Sequence, residues 1–213
     1  MFFHTKLFSI YIKYFFCFLF IIINTYIVNG QCLSYSIKKG DRTIGQIYVT
    51  RVIKNEITEY NFESNVKLSL FYNDIEIFDR MKSTFKGNQM LKAQLYRTLN
   101  GRVKVNNTAT WNGKSYLMTN KDGENDSIQH RINLTTTNMY YCEPKNATSI
   151  FSDKFQKMIP IKHESNSKYL LNLPNGNKVS YSYKNGICNL VEAETDWATV
   201  RFVLNTTKVK NGK

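Results

Sequence analysis

The chain has 213 residues, with 29 Lys and Arg against 16 Asp and Glu, a formal charge of +13 and 42% hydrophobic residues. That length suits one domain with a substantial core, and no internal stretch rich in Pro, Gly or Ser marks a boundary to a second. The charge favours anionic neighbours such as an envelope surface of phospholipid or lipopolysaccharide, but Lys is spread evenly through a Lys-, Ile- and Asn-rich chain, so no nucleic-acid partner is expected.

Lys6 and Lys13 precede an unbroken apolar run from Tyr14 to Ile23, and Val28-Asn29-Gly30 comes after it. A run near ten residues is short for a ~30 Å hydrocarbon core, and small residues at Val28 and Gly30 suit signal peptidase. Residues 1–30 are therefore expected to be a cleaved signal peptide, with an uncleaved anchor as the alternative. Acylation of Cys32 is disfavoured, because Gln31 and Asn29 stand where a lipid-modified cysteine needs a small residue and a Leu. Cleavage before Gln31 removes Lys6 and Lys13, takes the charge from +13 to +11, and leaves one domain over 31–205 with a frayed tail at 206–213.

Alternation with turn residues between dominates the rest of the chain, which is the strand and hairpin pattern. Leu33, Tyr35 and Ile37 share one face, and "KKGDRT" turns into "IGQIYVTRVI". In "EITEYNFESNVKLSLFY" the same face takes Thr58, Tyr60, Phe62, Ser64, Val66, Leu68, Leu70 and Tyr72, a length that predicts a bulge near Glu63 to Asn65. "NDIEIFDRMKSTFKGN" and "QMLKAQLYRTLNG" end at Asn100-Gly101, a strong hairpin signal. "RVKVNNTATWNG" turns at Asn112-Gly113 into "KSYLMT", and "SIQHRINL" reads as another strand.

Residues 135–155 lack the pattern and predict a short helix or two, the first ended by Pro144. Four more strands come next, joined at Asn175-Gly176, at Lys184-Asn185-Gly186 and at Thr195-Asp196. The expected fold is all-β: an antiparallel meander curled into a barrel or half-barrel, since a flat sheet of that width leaves costly edges.

Candidate chemistry is sparse. No G-x-S-x-G or H-E-x-x-H occurs, and no CxxC supports a zinc site, so no catalytic residue, metal or cofactor is assigned. Among the carboxylates, Glu143 and Glu192 are the candidates for a secreted hydrolase. Past the leader, Cys32, Cys142 and Cys188 remain; Cys142 and Cys188 are the pair to bridge if any bridge forms, and free thiols are the alternative. Tyr35, Tyr60, Phe62, Tyr72, Tyr96, Trp111, Tyr169, Tyr181 and Tyr183 fall mostly on apolar faces, where they either fill the core or line an apolar site. In the irregular segment Tyr140 and Tyr141 are expected to anchor a lid across the open side of the curved sheet, and these two with Glu143, Tyr181 and Tyr183 are the candidate ligand-lining or lid residues.

"YSIKKGDRTIG", "YYCEP" and "KYLLNLPNGNKVSYSYKNGIC" resemble an uncharacterised family of exported Bacteroidota proteins, a domain of unknown function. The residues that carry this are Tyr35, Gly40, Ile44, Gly45, Glu143, Pro144, Pro174, Gly176, Tyr181, Tyr183, Gly186 and Cys188. The architecture of such families is similar to the curved sheets of periplasmic lipoprotein carriers. The resemblance implies an envelope protein of a Gram-negative bacterium, periplasmic or extracellular, that binds an apolar or lipid-like ligand; it supplies no catalytic residues. The competing readings are the carboxylate hydrolase and a structural or interaction protein of the cell surface.

Overall fold

A computed structural model describes residues 29–70, 73–195 and 198–205. The leader up to residue 28, Tyr72, the turn at Asp196 and the tail from 206 lie outside the described residues. Six strands lead: β1 (Asn29–Lys39), β2 (Arg42–Lys54), β3 (Ile57–Leu70), β4 (Asn73–Lys86), β5 (Gln89–Leu99) and β6 (Arg102–Trp111). Two short ones come next, β7 (Tyr116–Thr119) and β8 (Asn125–Ile128). After an irregular segment come β9 (Ser149–Ser152), β10 (Lys157–Ser165), β11 (Lys168–Asn172), β12 (Lys178–Lys184), β13 (Ile187–Thr195) and β14 (Ala198–Leu204).

All belong to one sheet, ordered β8-β7-β6-β5-β4-β3-β2-β1-β14-β13-β12-β11-β10-β9. Each pair is antiparallel, and neighbours in the sheet are consecutive in the chain except where β1 meets β14 through Tyr35 to Lys38 and Arg201 to Leu204. β8 and β9 form the two ends, so the sheet curls without closing by a backbone ladder.

The turns arise from local chemistry. At Asn100-Gly101 and Asn185-Gly186 both residues have positive φ (50° and 73°, 54° and 76°), the left-handed pair that a two-residue hairpin of the matching twist requires. Gly45 has a different reason to be glycine: a Cβ there would sit 2.3 Å from the Asn65 carbonyl oxygen. β2 and β3 pass closely at that point, where Gly45 pairs with Val66.

The bulge expected near Glu63 to Asn65 is not formed, and β3 pairs with both neighbours in unbroken register. Register shifts occur instead at Ile37/Lys38, Thr84/Phe85, Arg97/Thr98, His163/Ser165 and Ser182/Tyr183. Every one lies within about three residues of a hairpin turn, so bending is taken up at strand ends and the long strands run through.

The inward faces are those the alternation predicts. Leu33, Tyr35, Ile37, Ile47, Val49, Tyr60 and Phe62 are buried, and they join one continuous core. Tyr96 departs from the expected apolar set: it lies on the outer face opposite Arg80 and is 37% exposed. Two further expectations are corrected. "SIQHRINL" leaves the sheet after Ile128, and residues 135–155 hold only one 3-10 turn, Asn138–Tyr140, before β9 begins.

The close pass at Gly45 yields a direct test. Gly45→Ala should destabilise the fold by about 1–3 kcal/mol, the cost of overpacking, which outweighs the roughly 0.4–1 kcal/mol gained from reduced unfolded-chain entropy. Denaturant unfolding reads this; a change within about 0.5 kcal/mol, typical of surface substitutions, contradicts the geometry.

Candidate functional site

The segment between β8 and β9 runs inside the curled sheet. Ile132, Thr135, Thr137, Asn138, Met139, Tyr140 and Tyr141 are all buried. Ile132 is fixed first: its carbonyl accepts from Met90 N at 2.8 Å, and its N–H donates to the Tyr116 hydroxyl at 3.2 Å. The backbone then runs beside β9, where Phe151 N donates to Leu134 O and Thr136 N to Phe151 O, covering that edge. Thr135 and Asn138 make the tight turn by exchange: Thr135 N donates to Asn138 Oδ1 at 2.9 Å, and Asn138 N to Thr135 Oγ1 at 3.2 Å.

Tyrosine hydroxyls satisfy main-chain carbonyls around this plug. Tyr183 donates to Met139 O at 2.9 Å, Tyr35 to Cys188 O at 2.7 Å, and Tyr141 to Val49 O at 2.8 Å. Burial raises the hydroxyls of Tyr35, Tyr140, Tyr181 and Tyr183 far above the usual phenol range, so each stays neutral.

Where the sheet fails to close, side chains span the seam. Asn107 Nδ2 donates to Asp153 O and Lys154 O at 3.1 and 2.8 Å, and Gln156 Nε2 donates to Thr108 O and Thr119 O. Asp153 itself is buried, its Oδ2 accepting from Thr136 at 2.5 Å and from Thr137 at 3.1 Å while Oδ1 is buried with no hydrogen-bond partner. Burial pushes its carboxyl up to about 6, against the two threonine bonds that favour the charged form.

The plug fills only the end of the molecule that carries the Gly87, Gly113 and Gly186 turns. Beyond it lies a cavity of about 410 Å³. Tyr140 is its floor, packed against Tyr35, Phe62 and Tyr181 with ring centroids 5.2, 5.4 and 6.5 Å away. Ile47, Val66, Leu95, Leu171 and Val191 contribute to its walls, from both arms of the sheet. Exposed Lys154, Asn175 and Glu194 lie at its rim.

One polar arc interrupts the apolar wall. Ser64, Asp79 and Arg97 are adjacent in register across β3, β4 and β5. Arg97 Nη2 donates to Asp79 Oδ2 at 2.8 Å, its Nε donates to Oδ1, and Ser64 Oγ donates to Oδ2 at 3.3 Å. Sequence reasoning passed over this pair, although the signal is there: in "IEIFDRM" and "AQLYRTL" the phase of the apolar residues puts Asp79 and Arg97 on the inner face.

The expected residues divide across the floor. Tyr140 and Tyr181 line the cavity, whereas Tyr141, Tyr183 and Glu143 belong to the plugged end. The lid is corrected accordingly: Tyr140 and Tyr141 lie within the sheet and form no cover over its mouth. Glu143 accepts from the Tyr169 hydroxyl at 3.2 Å, and Glu192 lies on the outer face near Ser180 and Lys168, so these two carboxylates do not converge. The Cys142–Cys188 bridge is absent, and both are free thiols. Cys142 turns toward β3, 3.5 Å from the Tyr60 hydroxyl, while Cys188 is buried in β13 with its thiol pushed up to about 12 by desolvation.

By sequence the chain belongs to a family described as a domain of unknown function (DUF6134), matched over residues 35–205. No curated protein matched it. Among solved structures it is similar to a beta-barrel-like protein of a domain of unknown function (DUF1849) from Brucella abortus, with a TM-score of 0.57 and 9% identity over 88% of this chain and 100% of that one. At that identity the likeness concerns the fold.

Two measurements test the plug. Tyr140→Ala should cost about 3–5 kcal/mol, as for other buried aromatic truncations; a cost near zero shows that the floor is not packed. Asp153, raised from 3.8 to about 6 by burial, favours the fold most when protonated. Its contribution is therefore full below about pH 4 and lost as pH rises through 6, on the order of 3 kcal/mol in all. Asp153→Asn should flatten that difference, and a stability gap to wild type that stays constant from pH 4 to 7.5 overturns the assignment.

Proposed function

We propose that this chain is a non-catalytic binding protein of the cell envelope that holds an apolar, chain-like ligand above Tyr140. The observation that carries this is the unfilled space. A core of this quality packs to crystal-like density, yet about 410 Å³ beside it is left open between apolar walls. That is within the roughly 300–1,000 Å³ of small-molecule sites, which are mostly apolar with a few placed polar groups. The Ser64, Asp79 and Arg97 arc supplies such groups.

The leader-like residues 1–30 support export, to a periplasmic or extracellular location in a Gram-negative bacterium of the Bacteroidota type. The excess of Lys and Arg supports residence near an anionic envelope surface. The hydrolase reading is not favoured, because Glu143 and Glu192 occupy opposite faces of the sheet.

Native mass spectrometry of protein isolated from its own host tests this reading. It should show a retained apolar ligand and a chain beginning at Gln31 or its cyclised form. Ala193→Phe, which places a ring in the cavity from β13, should leave the circular dichroism unchanged and abolish ligand retention. Ligand retained equally by both proteins, or by neither, overturns the proposal.

A further inference from the structure

We infer that the Asp79–Arg97 pair selects an uncharged, single-chain amphiphile, one whose polar group is an ester, amide or hydroxyl. This rests on the cavity reading above and names the ligand class.

Volume limits the chain count. At roughly 30 Å³ for a water-sized group, close to a methylene, the cavity holds about a dozen such groups. That accommodates one acyl chain of moderate length and is too small to enclose the paired chains of a phospholipid.

Charge sets the head. The surface as a whole is strongly basic, which would favour an anion, but the wall is not. Asp79 lies directly opposite Arg97 and takes two of its N–H bonds, and Ser64 donates to the same carboxylate. The Asp79 side chain is 11% exposed and the Arg97 side chain 33%, and both line the cavity. The rim adds one base and one acid, Lys154 and Glu194. An Arg carries five N–H donors, and those not committed to Asp79 can meet a carbonyl or hydroxyl oxygen. A ligand carboxylate would place a second negative charge beside Asp79 in a poorly hydrated site. A ligand ammonium would meet Arg97 with the same difficulty. Like charges at such range are costly away from water. A neutral dipole satisfies the open N–H groups and leaves the pair intact.

The test uses a neutral fluorescent probe, N-phenyl-1-naphthylamine, bound to the full chain at about pH 8, where carboxylic acids are ionised and alkylamines protonated. Four ligands of one chain length compete for it: monolauroylglycerol, dodecanol, laurate and dodecylammonium. Both neutral ligands should displace the probe at concentrations about tenfold or more below either ion. The double variant Asp79→Leu/Arg97→Met should keep probe binding, since replacing a buried ion pair by apolar groups is commonly tolerated, while monolauroylglycerol and dodecanol both displace the probe less well than from the wild type. The wild-type series alone decides the matter if that variant fails to fold. Laurate or dodecylammonium competing as well as the neutral ligands overturns the selection while leaving the cavity reading in place. Absence of probe binding to the wild type removes both.

Discussion

The structure depends on how a wide, unclosed sheet fills its own interior. Around eight strands make a barrel that side chains can fill, and diameter grows with strand number. Fourteen strands curled together leave more space than their inward residues occupy, together with two free edges at β8 and β9. One piece of chain answers the first problem and half of the second. The connection from β8 to β9 enters the interior, covers the edge of β9 through Leu134 and Thr136, and buries Met139, Tyr140 and Tyr141. Side chains of Asn107 and Gln156 then join the two arms across the seam where no ladder forms.

Irregular backbone in a core brings carbonyl groups that water cannot reach, and each one left unmatched is costly. Tyr183 answers that need at Met139, and Tyr116 and Tyr141 join the plug to carbonyls of the strands around it. A phenylalanine fills the same space but donates nothing; a tyrosine fills it and carries a donor to a carbonyl. Tyr116 bonds Met90 O, Tyr183 bonds Met139 O, and Tyr141 reaches Val49 O. The interior is thus a mesh of rings and main chain at one end of the molecule, while the other end, walled mainly by apolar side chains and crossed by the Asp79–Arg97 pair, stays open.

The meander was readable because a two-residue period and Asn-Gly turns are local signals, as at Tyr35, Phe62 and Asn185-Gly186. The plug was not. Its residues obey no period, since each makes its own contact with a different strand, and nothing local distinguishes an insert across the mouth from one inside. The same limit applies to Cys142, whose direction toward Tyr60 is set by the turn before it. Bulge placement near Glu63 failed for another reason: long strands are kept straight by continuous pairing on both sides, and bending moved to the turns. Asp79 and Arg97 were readable in principle, as charges in the apolar phase of two neighbouring strands. They gain meaning only once β4 and β5 are known to pair with those two residues opposite each other.

The depth of the open end is set by where the plug turns back. Thr135 and Asn138 lock a tight turn that sets Tyr140 at the floor, and Asp153 ties the same turn to the end of β9 through Thr136 and Thr137. A carboxylate buried with one oxygen unpartnered costs stability near neutral pH, and a Leu or Val there would avoid that cost. Neither could hold two adjacent hydroxyls at once. The cost therefore purchases position: with the turn fixed, the floor is fixed, and the volume above it is a defined cavity instead of a loosely packed core. Thr136 and Thr137, both within that turn, thus place Asp153 between the end of β9 and the plug, so one carboxylate couples the position of the floor to the seam.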